Sequence, residues 1–316
     1  MKLNTPFFFR KYADRCLFCL LVFPFMLTSC FSGQPDKKSA EERTNNSDAS
    51  RLSQLTVTND ATFGTVLDDL DRNDLQNIDR ALKLYANNQA DSVSRDSMLV
   101  SLNEFMTSVI QGYYDNHLNG KRDLIDLFGN KGDQSEAQKL TSSLASHGIK
   151  LIFKEGDFYL EPDLAFVSDH LNGALTVASH DYLQVKINVT NGFIAENNQP
   201  VSAPDSLARQ IVAWEDFMLK YPGYVLKDEI QAQYIDVMSA YLSGMEQYPL
   251  FDPNTKILDA NYQASYLRYL EAYPNRESTR IVKKFYDLLS SKGFKYDEGL
   301  DSFLSEVNLI PTENLQ

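Results

Sequence analysis

From about residue 74 onward, apolar side chains recur at intervals of three and four, the period of a helix with one buried face. Leu75, Ile78, Leu82 and Tyr85 share one such face, and Asn87-Asn88 ends it. A broader stripe begins near Ser94 and comprises Met98, Leu102, Phe105, Met106, Val109, Ile110 and Tyr113, with Gly120 just beyond. Leu124, Ile125, Leu127 and Phe128 predict a short helix closed by Gly129, and Ala137, Leu140 and Leu144 predict another. At Gly148 the period changes to two: Ile149, Leu151 and Phe153 alternate with Lys150, Ile152 and Lys154, and Phe158 and Leu160 resume the alternation until Pro162. This is one β-hairpin, spanning 149–160. From Ser168 the spacing Leu171, Leu175, Ala178, Tyr182, Val185 predicts a helix, and the Asn-, Gln- and Pro-rich stretch 191–204 predicts a loop.

The last third carries the strongest pattern. Ser202-Ala203-Pro204-Asp205 resembles a capping box, and Leu207, Ile211, Trp214, Phe217, Met218 and Tyr221 form the stripe of the helix that follows. A turn at Tyr221-Pro222-Gly223 leads to a return helix with Ile230, Tyr234, Val237, Met238 and Tyr241, stopped at Gly244. Laying Trp214 on Tyr266 and holding that offset of 52 pairs Phe217 with Tyr269, Tyr221 with Tyr273, Pro222 with Pro274, Ile230 with Val282 and Val237 with Leu289. A second hairpin is therefore expected over Tyr262–Tyr273 and Ser278–Leu289, ended by Gly293, with a terminal helix through Leu300, Phe303, Leu304 and Val307. The whole pattern predicts a mainly α-helical chain: a helical region with one small β-hairpin over 62–200, then α-helical hairpin repeats over 201–316.

Trp214, Phe217, Tyr221 and Tyr234 fall where the tetratricopeptide repeat places its aromatic and large apolar residues, and this part of the chain resembles that family and its relatives among bacterial envelope lipoproteins, including outer-membrane assembly lipoproteins. Met218, Ile230 and Leu242 depart from the small residues and proline of the family pattern, and the offset of 52 exceeds the family's repeat of about 34. The resemblance implies a concave groove lined by residues flanking the Trp-like position. In this chain those are Glu215 and Leu219 in the first hairpin, Leu267 and Glu271 in the second. Two carboxylates beside two leucines suit a basic, partly apolar peptide. With both glutamates at the surface, converting them to lysine is expected to shift stability by less than ~0.5 kcal/mol.

The N-terminus changes the setting of this body. Lys2, Arg10, Lys11 and Arg15 precede an apolar run from Cys16 to Leu27, the layout of an export signal and too short to span a bilayer comfortably. It ends in Leu27-Thr28-Ser29-Cys30, which resembles the bacterial lipobox. That resemblance implies a signal peptide over 1–29, cleavage before Cys30, and a diacylglycerol on its sulfur, a durable anchor when a second acyl chain joins it. Residues 30–61, poor in large apolar side chains, read as a flexible tether. Phe31 stands where an aspartate would retain the protein at the inner membrane, which points to the periplasmic side of the outer membrane.

Charge and chemistry narrow the function. The net charge is −13, and cleavage would remove four cations and Asp14 and take it to −16. So acidic a body is repelled by nucleic acid. Cys16 and Cys19 lie in the apolar run, and the lipobox resemblance implies that both leave with it, so that the mature chain would have no partner for Cys30. His117, His147, His170 and His180 show no metal-ligand spacing. The run from Asp68 to Asn73 suggests a calcium loop starting at Asp69 but has Asp74 where the loop needs glycine and Arg80 where it needs glutamate. No phosphate loop, nucleophile elbow or dinucleotide fingerprint occurs, and no cofactor or metal is expected. The expectation is a non-catalytic, lipid-anchored envelope protein that binds a protein or peptide through its helical hairpins; the alternative is a glycan- or cell-wall-binding lipoprotein using aromatic side chains near the β-hairpin.

Overall fold

The computed structural model describes residues 58–118, 134–154, 157–193, 195–196, 199–200, 204–245 and 248–309. The lipobox-like stretch, the Ser202 cap and the short helix expected at Leu124–Phe128 lie outside them. The fold is mainly α-helical, with paired helices in the last third, as the pattern predicts.

The first helix begins earlier than the periodicity announces. Asn59 accepts a hydrogen bond from the Thr62 N–H at 2.9 Å and caps α1 (Asp60–Asp68), which buries Phe63, Val66 and Leu67. Three residues make too short a stripe to stand out as a period. After α2 (Gln76–Ala86) comes α3 (Ser92–Tyr113), capped by Asp91 and extended by a π turn over Tyr114–Leu118. Both α1 and α2 pack on α3.

The β-hairpin forms at its expected place. Strand β1 (Ile149–Lys154) pairs antiparallel with β2 (Asp157–Pro162) in a register that sets Leu151 opposite Leu160. It is not isolated in water, where two strands would be marginal: β1 lies against α4 (Gln134–Ala145) and β2 against α3.

The helix expected from Ser168 is in fact two. Asp163 accepts from the Ala165 and Phe166 N–H groups, starting α5 (Leu164–His170), and α6 begins only at Val177 and runs to Phe193. Between them Gly173 has φ +86°, a left-handed backbone that glycine adopts without steric penalty and that ends the helical run. Leu171 and Leu175 still pack inward, which is why their spacing reads as helical across a break. The described residues also contain two minimal strand pairs that the alternation did not predict, β3 (Ala195–Glu196) with β4 (Gln199–Pro200) and β5 (Gly244–Met245) with β6 (Tyr248–Pro249).

The hairpin region comprises α7 (Pro204–Lys220), α8 (Lys227–Ser243), α9 (Ala260–Ala272), α10 (Glu277–Ser291) and α11 (Glu298–Leu309). Helix α7 packs against α6, α8, α9 and α10, and α11 lies on α8 and α10. One continuous apolar core runs from Phe63 in α1 to Leu300 in α11. Among the described residues no helix is long and apolar enough to cross a membrane.

Candidate functional site

Helix α7 positions everything that follows. Pro204 occupies its first turn, where no intrahelical N–H bond is lost, with Asp205 at the positive end of the helix dipole and Lys220 at the negative end. Leu207, Ile211, Trp214 and Phe217 are buried, and each large side chain contributes about 1.5 to 3 kcal/mol. The Trp214 and Phe217 rings meet edge to face at 6.4 Å, and Phe217 meets Tyr224 of the turn in the same way at 5.3 Å.

Both hairpins turn by one device. A residue before proline is disfavoured in the α region, so α7 ends at Lys220, just before Tyr221-Pro222, and α9 at Ala272, just before Tyr273-Pro274. In the first turn the Tyr221 N–H donates to the Phe217 carbonyl at 2.9 Å and the Tyr224 N–H to the Tyr221 carbonyl at 3.1 Å. The second turn repeats both bonds at the same offset, Tyr273 to Tyr269 at 3.0 Å and Arg276 to Tyr273 at 3.4 Å.

Of the four residues assigned to a groove, Glu215 is not at the surface. Only 7% of it is exposed. One carboxylate oxygen accepts from the Ser278 backbone N–H at 3.2 Å; the other accepts from the Ser278 hydroxyl at 2.7 Å and from the Arg276 guanidinium at 3.3 Å. The Tyr269 hydroxyl donates to Ser278 Oγ at 2.7 Å and completes the network. Arg276, the residue preceding α10, makes no capping bond with its own side chain, so a glutamate from another helix satisfies the free N–H of the first turn. Converting Glu215 to lysine would place a cation against Arg276 in this buried site, which overturns the expectation of unchanged stability. The clue in the sequence is position: Glu215 stands four residues after Ile211, inside the apolar stripe.

Leu219 is 74% exposed, Leu267 is 49% exposed, and Glu271 is exposed as well. The fold does not gather the two leucines. Arg268, next to Leu267, pairs with Asp205 in the first turn of α7 at 2.7 Å, whereas Leu219 stands fourteen residues beyond Asp205, about 21 Å further along the axis. A concavity instead opens between α6 and α7. It is an open depression of about 340 Å³ lined by Val185, Ala213 and Phe217 and by the charged side chains of Asp181, Asp216 and Lys220. Asp181 accepts from Lys220 Nζ at 2.8 Å and from the Tyr221 hydroxyl at 2.7 Å, and Asp216 pairs with Arg276 at 2.7 Å. Partial burial works to raise the pKa of Asp181, but hydrogen bonds from Lys220, Tyr221 and His180 outweigh it and hold the carboxyl below the ordinary value of 3.8. Lys220 is correspondingly pushed up to about 12 by its bonds to Asp181 and Tyr221. Sequence reasoning met Asp181 only as the neighbour of His180 and Val185 only as part of an apolar face, and it did not bring them together with Ala213 and Asp216, because two different helices build the groove and neither carries its signature alone.

The remaining candidates have local roles. His147 bonds Asp79 at 2.8 Å, His170 bonds the Phe166 carbonyl at 2.9 Å, and His180 lies 3.5 Å from Asp181. In the acidic run Asp71 and Asp74 accept the Asn73 and Gln76 N–H groups, and Asp68 pairs with Arg72. Among the described residues no cluster of His, Cys, Asp and Glu is arranged to hold a metal ion. The chain is thus a helix-rich protein with clustered helix–helix packing, consistent with a protein-binding scaffold. Comparison with protein-family models, with curated proteins and with solved structures finds no match.

Proposed function

We propose that this chain is a lipid-anchored protein of the bacterial envelope that binds a basic, partly apolar segment of a protein partner in the α6–α7 groove. The groove carries the reading. Its apolar lining of Val185, Ala213 and Phe217 suits an aliphatic or aromatic side chain, and the carboxylates of Asp181 and Asp216, already bonded to Lys220 and Arg276, keep further lone pairs with which to accept from flanking cations. The net charge of −13 adds long-range attraction for a cationic partner. Leu27-Thr28-Ser29-Cys30 supports the anchor, and Phe31 supports the outer membrane as its place. Glu271 and Leu219 are exposed but do not line this groove.

The test combines envelope crosslinking with two variants. Ala213→Phe fills the groove floor from a half-buried position, and recovery of crosslinked partners is expected to fall at least about tenfold, the effect of ~1.4 kcal/mol, with helical content unchanged. Cys30→Ser is expected to release the body from membranes or leave the signal uncut. Recovery of the same partners by Ala213→Phe at the same salt sensitivity would refute the groove, and an unmodified Cys30 in a protein processed elsewhere would refute the anchor.

A further inference from the structure

A second cavity, of about 220 Å³, lies where α3, the β-hairpin and α6 meet, and it shares no lining residue with the α6–α7 groove. It is smaller than the ~300 to 1,000 Å³ of sites for drug-sized ligands, so it has room for one side-chain-sized group. Its charged lining residues are Lys150 of β1, Glu161 of β2 and Lys186 of α6.

These charges are unequally compensated. Lys150 Nζ lies 3.2 Å from Asp163 and Lys186 Nζ 3.3 Å from Glu229, so each amine already has a carboxylate. The Glu161 carboxylate has no hydrogen bond or ion pair among the described residues, its backbone alone being engaged in the strand pairing. Register makes Lys150 its direct cross-strand partner, the position where an ion pair would form, yet the Lys150 ammonium turns to Asp163. Burial accordingly raises the Glu161 pKa, and attraction by Lys150 opposes this only in part. Lys150 and Lys186 line the cavity together with Glu161, but each is held by a carboxylate outside it, so two cations and three carboxylates leave one negative charge in and around the cavity, and Glu161 is the carboxylate among its lining residues.

The other lining atoms fit the same ligand. The Thr107 hydroxyl donates to the Asn103 carbonyl at 2.8 Å, which leaves its oxygen lone pairs to accept. Leu164 and Ile187 add apolar surface for a short hydrocarbon stem. An anion would be repelled by Glu161, whose charge Lys150 offsets only in part, whereas a primary ammonium offers three donors to Glu161 and Thr107.

We infer that this cavity is a receptor for a single primary alkylammonium group, held by the Glu161 carboxylate. The group comes either from a free small amine or from a lysine side chain of a protein. The inference does not rest on the partner reading of the α6–α7 groove.

Isothermal titration of the full-length chain with n-butylamine and with Nα-acetyl-lysine N-methylamide tests it, with n-butanol as the neutral control. Saturable binding of the amine and none of the alcohol is expected. Binding of butylamine alone marks a free amine as the source, and binding of both marks a lysine side chain. Glu161→Gln is expected to weaken the amine at least about tenfold, as loss of a charge-assisted hydrogen bond does. Lys186→Met, which removes a nearby positive charge, is expected to tighten it. A fold readout runs alongside: Glu161→Gln should raise the melting temperature at neutral pH. A raised carboxyl pKa destabilises the fold once pH exceeds the ordinary carboxylate value, so the gain should vanish below it. No saturable binding by either amine, or equal binding by Glu161→Gln, overturns the proposal.

Discussion

The α7–α8 and α9–α10 hairpins share a stop, a turn and a buried aromatic stripe, yet they secure the start of their second helix in opposite ways. In the first, the carboxylate belongs to the second helix: Glu229 of α8 accepts from the Tyr182 hydroxyl and the Lys186 ammonium of α6, at 3.1 and 3.3 Å. In the second, the carboxylate belongs to the preceding hairpin, and Glu215 of α7 accepts from Arg276 and Ser278 at the start of α10. At the offset of 52 the counterpart of Glu215 is Leu267, half exposed. Trp214 and Tyr266 differ likewise. The Tyr266 hydroxyl donates to the Tyr241 carbonyl at 2.8 Å, while the buried Trp214 indole N–H has no partner among the described residues. A duplicated pattern thus preserves what a hairpin needs within itself, and it diverges where each copy meets a different neighbour.

The widest contrast between the two copies should appear at Glu215 and Leu267. Glu215→Lys breaks a buried network and strips the cap from α10, and a loss of about 3 to 5 kcal/mol is expected in urea denaturation. Leu267→Ala and Glu271→Lys, both at exposed positions, should each stay within ~0.5 kcal/mol. Equal losses at Glu215 and Leu267 would mean that the capping role is not what separates the copies.

Tyr266→Phe should cost about 1 to 3 kcal/mol, because it removes a fully buried hydrogen bond and leaves the Tyr241 carbonyl unsatisfied. The loss should appear in the midpoint of denaturation with its slope unchanged. A neutral result would place Tyr266 in the same class as Trp214, whose indole N–H has no partner among the described residues.

The smallest effect is expected from acid. Asp181 is depressed below 3.8, so the stability it contributes is complete above that value and declines as pH falls through its lower folded value. The group is partly exposed, and the loss should not exceed ~0.5 kcal/mol. Asp181→Asn should flatten this part of the acid profile, as followed by thermal melts between neutral pH and pH 2.5, without changing the response of Glu215→Lys. A profile that Asp181→Asn leaves untouched would assign the acid sensitivity to other carboxylates, Asp205 first, since its bonds from Ser265 and Arg268 overcome burial and depress it too.

Much of the fold was legible residue by residue. The stripes of α2, α3, α7, α8 and α10 carry the helical period, the alternation after Gly148 marks the β-hairpin, and each Tyr-Pro step stops a helix at the residue before it. Helix α1 escaped notice because Phe63, Val66 and Leu67 are too few to establish a period. The break before α6 escaped because Leu171, which is buried, and Leu175, which is partly buried, both pack on the core on either side of it. The candidate sites were far less legible. Leu219 and Leu267, expected to line one groove, are both exposed and are not gathered by the fold, and the groove and the smaller cavity draw on Asp181, Ala213 and Glu161, none of which belongs to a motif.

The sequence by itself determined the helices, their stops and the face that each one buries, because these follow from backbone sterics and from the free energy of burying side chains a few residues apart. Tertiary structure alone decided whether a polar residue within or beside those faces meets water or a neighbour. Glu215 caps a helix that begins more than sixty residues later, and the Glu161 carboxylate has no ion pair among the described residues because Lys150 turns to Asp163. A carboxylate's role depends on the donors within about 3 Å of it, and chain folding, not local spacing, brings those donors there.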